Sequence, residues 1–279
     1  MELRSGTKGA CSAAAPSAQA LAERFAHCSR EILGNNLTGV YLHGSMAMGC
    51  FLYGKSDIDL LTVVEENPSR AVKREYMDMV MALHRLMPGK GIEMSMVLAQ
   101  TCRSFVYPTP FLLHFSQRHA DWYLSDPDGY VERMNGTDKD LAAHFTVISH
   151  RGKVLWGEPI NTLFAPVDSC FFLDSIWEDV REAREEIWEN PVYITLNLCR
   201  VLAFRREGLV LSKREGGQWA LAQMPDFPYA PLIHSALEAY NTGCTMTPDA
   251  AAAKFATDML RRITGGEKGS GQKMRKYNK

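Results

Sequence analysis

Gly44-Ser45 is followed, after eleven residues, by Asp57-Ile58-Asp59-Leu60-Leu61-Thr62-Val63-Val64, and how this stretch is read decides the fold. Gly39-Val40-Tyr41-Leu42 just ahead of it reads as a strand. Gly44 is the turn that leaves that strand, and Ser45 the N-cap of a short helix running toward Gly49. Free backbone N–H groups and the Ser45 hydroxyl then face outward as a phosphate cradle. Asp57 and Asp59, one residue apart on an apolar strand, project to the same side. Glu93, in Ile92-Glu93-Met94-Ser95-Met96-Val97, takes an equivalent place on a second such strand. Like charges gathered in a poorly solvated spot repel, and must be neutralised by protonation or by a cation. Magnesium is the natural neutraliser, because it is usually held by one or two carboxylates plus substrate phosphates. Cradle and acids together predict a nucleoside triphosphate.

Each of these residues also has a plainer reading. Two acids at alternate strand positions fit a solvated edge face, and the Gly-Ser cradle beside them argues against it. Glu93 fits a surface glutamate, but it shares its face with Ser95 and Val97 while Ile92, Met94, Met96 and Leu98 line the opposite, buried face. A face that is not uniformly polar suits a site wall. His43, just before the turn, reads as a hydrogen-bonded structural histidine rather than a base.

The whole chain is consistent with this picture. Its 279 residues, 46% of them hydrophobic, exceed one average domain and suffice for two cores. A formal net charge of -1 provides no global positive field for a nucleic acid backbone, so no nucleic acid partner is expected. No apolar run is long enough to span a membrane, and Cys11-Ser12-Ala13-Ala14-Ala15-Pro16 is too short and too weakly apolar for a secretory core. Seven cysteines without a CxxC pair suit a reduced compartment and give no zinc framework. A cytoplasmic protein with no membrane partner is expected.

Periodicity divides the chain. After a loose start over residues 1 to about 16, Leu21, Phe25, Cys28 and Ile32 mark a helix face ending at Gly34. Strands are expected near 39–43, 57–64 and 92–98, with a helix from about Ser69 to Met87 between the last two. Leu141, Phe145 and Ile148 stripe a further helix. Beyond the turn formers from Gly157 to Pro166 the pattern is helical, near 172–189, 193–206, 229–241 and 249–264, before a frayed tail from Gly265-Gly266. The expected fold is α+β: an N-terminal α/β domain over residues 1–160 and a C-terminal helical bundle over 161–279. Met77, Met79, Met81, Trp177 and Trp188 read as packing.

The Gly-Ser turn followed by Asp-x-Asp, with its third acid, resembles the nucleotidyltransferase superfamily of the DNA polymerase beta type. Further along, the chain is similar to the aminoglycoside adenylyltransferases that modify spectinomycin and streptomycin. Tyr107-Pro108, Asp138-Lys139-Asp140-Leu141-Ala142, Gly157-Glu158-Pro159, Thr195-Leu196-Asn197-Leu198-Cys199-Arg200 and Ser212-Lys213, with Trp219-Ala220 behind it, appear in that family's order. The resemblance covers roughly Leu37 to Tyr240.

It implies a magnesium-dependent adenylyl transfer from ATP to a cationic, hydroxyl-rich small molecule. Gly44, Ser45, Ser56, Arg200, Lys213 and Tyr240 would then lie on the nucleotide side, Asp57, Asp59 and Glu93 at the metal, and Asp140 with Glu93 at the acceptor. Glu93 is a metal ligand in other superfamily members, and the adenylyltransferases favour it as the base. On residues alone, Arg200 and Lys213 are ordinary solvated cations, Tyr240 a core tyrosine, and Asp140 equally a helix N-terminal acid. Family members that accept streptomycin carry a tryptophan and an aspartate before the Thr-Leu-x-x-x-Arg helix. Here Trp188-Glu189-Asn190-Pro191-Val192-Tyr193 lacks the aspartate, which points to spectinomycin, at its 9-hydroxyl, as the acceptor. A nucleotidyltransferase acting on a protein or another small molecule, and a nucleotide-binding module without turnover, are the competing readings.

Overall fold

A computed structural model describes residues 16–87 and 89–265. The expected loose start and tail therefore fall outside the described residues, save at their inner edges. Helix α1 (Ala18–Leu33) begins where the Ser17 hydroxyl accepts the Ala20 N–H at 3.1 Å, and it buries Leu21 and Phe25 as its stripe requires. Strand β1 (Leu37–Leu42) leads to the one-turn α2 (Gly44–Ala47), then to β2 (Ile58–Val64), α3 (Arg70–His84) and β3 (Ile92–Leu98). Helix α3 stops a turn before Met87: Arg85 closes it, and His84 Nδ1 accepts the Ile92 N–H at 3.1 Å, which draws the chain into β3.

Several short pieces follow. They are α4 (Ala99–Arg103), β4 (Thr109–Phe111), β5 (Leu113–Phe115), α5 (Ala120–Ser125), α6 (Pro127–Arg133) and β6 (Gly136–Asp138). The N-terminal part closes with α7 (Leu141–Arg151) and β7 (Lys153–Gly157). Five strands form one sheet in the order β5-β3-β2-β1-β7, and β4 pairs with β6 in a separate ribbon. Only β2 and β3 in the larger sheet run parallel; α3 is their crossover, and their register sets Asp59 opposite Glu93.

Both faces of the sheet are covered, which is why β2 reads as a nearly continuous apolar run. Phe25, Tyr76 and Val80 pack against Val40, Leu60 and Met94 on one face. Phe145 of α7, with Leu163 and Phe164, packs against Tyr41, Leu61 and Val97 on the other. Each fully buried side chain of this size contributes about 1.5–3 kcal/mol over its exposed state.

Beyond α8 (Ile160–Leu163) the chain is helical: α9 (Ser169–Glu178), α10 (Ala183–Glu186), α11 (Pro191–Glu207), α12 (Lys213–Gln223), α13 (Ala230–Thr242) and α14 (Ala250–Ile263). Helix α11 is the axis of this bundle, burying Ile194, Leu198, Val201 and Leu202 among Ile233, Ala236, Phe255 and Met259. Two expectations need correction here. The helix over 172–189 divides, because the Val180 and Arg181 N–H groups both turn back on the Trp177 carbonyl, at 3.0 and 2.9 Å. Trp188, read as packing, is 50% exposed in the loop after α10. The fold is α+β, a five-stranded sheet domain followed by a helical domain. Among the described residues no helix is long and apolar enough to cross a membrane.

Candidate active site

Strand β1 is followed by His43, whose N–H donates to the Asp59 carbonyl at 3.0 Å, so the turn at Gly44 is tied to β2. Gly44 has φ +59°, and a Cβ there would sit 1.7 Å from Asp59 Oδ2. Only glycine permits that approach. The cap of α2 is His43 rather than Ser45, which lies inside the turn because Gly44 already has entered it. The Ser45 hydroxyl is buried and has no hydrogen-bond partner among the described residues. A buried polar group left in this way is costly, so an oxygen-rich ligand beside it would be stabilised.

One carboxylate oxygen from each of Asp57, Asp59 and Glu93 lies within 4.8 Å of the others, and the three residues are half-buried. Burial, then Asp57 and Glu93, push the Asp59 carboxyl well above its ordinary range. Burial likewise raises Glu93. A hard, oxygen-ligated cation fits this donor set, which carries more negative charge than the site stabilises by itself. Ser56 Oγ accepts the Leu52 N–H at 3.1 Å and closes the loop that delivers Asp57.

The helical domain brings cations to the same cleft. Lys213, the first residue of α12, feels Asp59 and Asp57, but burial and the nearby Arg200 hold its amine below the usual lysine range. Its Nζ lies 4.9 Å from the centre of the Tyr193 ring. Arg200 donates through Nη2 to Asp179 Oδ2 at 2.6 Å, and its Nε is buried with no acceptor among the described residues. The Tyr240 hydroxyl reaches the Cys50 carbonyl at 3.5 Å, a long contact that places it just behind the Gly-Ser turn. Two further bonds join the domains: Arg214 Nη2 to the Gly49 carbonyl at 2.7 Å, and Arg151 to Glu215 at 2.9 Å.

Asp140 stands at the N-cap of α7, yet its side chain caps no N–H of that helix. Its Oδ2 lies 3.1 Å from His144 Nε2, and its Oδ1 accepts the Ser175 hydroxyl at 3.3 Å. Burial alone would lower His144, but Asp140, Glu93 and Asp59 push it up to about 9. The surrounding protein opposes ionisation of Asp140, and His144 nonetheless draws its carboxyl below the ordinary range. Burial and the His144 ring, whose centre is 4.5 Å away, hold the His43 imidazole well below its ordinary range.

His144, Ser175 and Asp179 escape the sequence reading. Asp140 and His144 do carry a signal, the i,i+4 spacing that places an acid and a base together on one helix face. Ser175 and Asp179 carry none, because their partners lie far along the chain.

The family model described as the aminoglycoside adenylyltransferase C-terminal domain matches residues 162–262. A nucleotidyltransferase domain model matches residues 24–105. Spectinomycin 9-adenylyltransferases of Staphylococcus aureus strains Mu50 and N315 are each 21% identical over 215 residues, which covers 77% of this chain and 82% of theirs. A crystal structure described as a spectinomycin adenyltransferase from Enterococcus faecialis with ATP and spectinomycin superposes with a TM-score of 0.69 at 18% identity, covering 85% of this chain and 95% of that one. That likeness establishes the fold. With a nucleotidyltransferase domain followed by this particular C-terminal domain, the chain belongs to the aminoglycoside adenylyltransferase family.

Proposed function

We propose that the protein transfers AMP from ATP to a hydroxyl of spectinomycin, in a reaction that requires magnesium. The observation that carries this reading is the meeting of two opposite walls: the triad Asp57, Asp59 and Glu93 beside Gly44-Ser45, and Arg200 with Lys213 across the cleft. The relatives named for spectinomycin 9-adenylylation, and the neighbour described with ATP and spectinomycin, support the choice of acceptor.

In this mechanism the Gly44-Ser45 turn receives the phosphates, and Arg200 and Lys213 donate to them from the helical side. Asp57 and Asp59 would hold magnesium, which when bound would offset part of the triphosphate charge and polarise the α-phosphate. Glu93 takes the proton from the acceptor hydroxyl as its oxygen attacks the α-phosphorus in line, and pyrophosphate departs. Burial raises the Glu93 carboxyl above its ordinary range, the direction that suits a base. Asp140, whose side chain is 52% exposed, would receive an ammonium of the acceptor.

The test is pyrophosphate release from ATP by the full chain, with and without magnesium, in the presence of spectinomycin, streptomycin or neither. Release only with spectinomycin and magnesium, together with an adenylylated drug of the expected mass, is the expected result. Comparable turnover of streptomycin would overturn the narrower acceptor. ATP binding without release in either drug arm would move the acceptor outside this drug class.

A further inference from the structure

Helix α9 ends on an acid whose side chain does nothing for the helix. Asp179 is its C-terminal cap, where the carbonyl ends of the peptide dipoles disfavour negative charge. Both carboxylate oxygens are instead given to α11: Oδ2 accepts Arg200 Nη2 at 2.6 Å, and Oδ1 accepts the Tyr193 hydroxyl at 3.1 Å. Tyr193 in turn offers its ring to Lys213 Nζ at 4.9 Å. One acid thus contacts the first nucleotide-side cation directly and the second through an aromatic ring.

Arg200 and Lys213 are like charges held close in a half-buried cleft, and without a counter-charge they would repel one another apart. We propose that Asp179 is a positioning residue for the nucleotide phosphates, fixing Arg200 directly and Lys213 through Tyr193 before ATP arrives. The inference rests on the reading of Arg200 and Lys213 as phosphate donors. Long cationic side chains lose considerable rotamer freedom when they are ordered, and a fork already held in place loses less of it on binding. The bond to Asp179 engages a single guanidinium nitrogen, so other N–H donors of the fork remain for the phosphates.

The test is the affinity of the full chain for magnesium with a non-transferable α,β-methylene ATP analogue, measured by calorimetry for wild type, Asp179→Ala, Arg200→Ala and the double variant. Arg200→Ala and Asp179→Ala should each weaken binding roughly ten- to hundredfold, the usual range for a hydrogen bond to a charged group. In the Arg200→Ala background, the further loss from Asp179→Ala should nearly vanish, because the two act as a unit. Asp179→Glu should recover part of the affinity. Unchanged or tighter binding by Asp179→Ala, or a loss of full size in the Arg200→Ala background, would overturn the proposal. Arg200→Ala binding like wild type would instead remove the phosphate reading of Arg200, and the proposal with it. Should Asp179→Ala fail to fold, Asp179→Asn keeps the shape and the Tyr193 contact while deleting the charge, and the same comparisons apply.

Discussion

The two walls of the cleft are built by different means. Asp59 and Glu93 stand on β2 and β3, and backbone register alone sets them opposite each other. Sliding either strand by one residue would turn every buried neighbour to the wrong face, so the acids are fixed by the whole sheet. Arg200 and Lys213 come from separate helices, and their placement depends on Asp179, on Tyr193 and on how closely α12 approaches α11. The acidic wall is therefore rigid by main chain, and the basic wall is adjustable by side chain. On the proposed reading, in which a nucleotide enters and pyrophosphate leaves, the adjustable contacts lie on the phosphate side.

The sharpest way to separate the walls is Glu93→Gln. If the acidic wall supplies chemistry on a rigid frame, turnover should fall by about 10²–10⁴-fold while most of the ATP affinity remains. Thermal stability should hold or rise, because burial already opposes ionisation of Glu93 and glutamine carries no charge to bury. Steady-state kinetics, calorimetric ATP binding and a melting curve check this together. Collapse of nucleotide affinity in step with turnover would assign Glu93 to the metal rather than to the proton.

The opposite wall is probed at Gly216. A Cβ there would lie 2.8 Å from the Arg200 backbone nitrogen and 2.8 Å from its Cβ, so alanine must push α12 off α11. Overpacking of this kind costs about 1–3 kcal/mol. Gly216→Ala is expected to lower the melting temperature and raise the KM for ATP, with kcat changing far less. Equal losses in KM and kcat would show that displacement of α12 also disturbs the acidic wall, and the contrast between the walls would fail.

What was legible in the sequence follows the same division. A period of two along a strand places Asp57 and Asp59 on one side without further information, and the Gly-Ser turn is readable because only glycine tolerates the approach of Asp59. The apolar stripes of α11, α13 and α14 mark these helices to within a few residues. Helix α12 is hidden in the sequence: Gly216-Gly217 looks like a break, although Ser212 and Glu215 announce the start through the capping box that the structure contains. Strands β4, β5 and β6 have three residues each, too few for alternation to register. Asp179 and Ser175 lie outside any local pattern, since their roles exist only once α9 is packed beside α11 and the start of α7.

His144 is where the comparison can be refined most finely, because it sets a cation into the acidic wall. Its pKa rises from 6.5 to about 9 on folding, so the pair with Asp140 contributes fully below about pH 6.5, and the contribution is lost as pH rises through 9. Asp140 is shifted the other way, so its share is present above the ordinary carboxylate range and disappears only as pH falls through its lower folded value. The stabilisation should thus be greatest at mildly acidic pH. Half of the Asp140 side chain is open to water, which screens the pair and limits its worth to about 1 kcal/mol. His144→Gln, compared with wild type by thermal melts without added metal or nucleotide, should show its largest deficit near pH 6 and a shrinking one toward pH 9. A deficit independent of pH would mean that His144 serves the wall by packing on His43, with its charge of no consequence to stability.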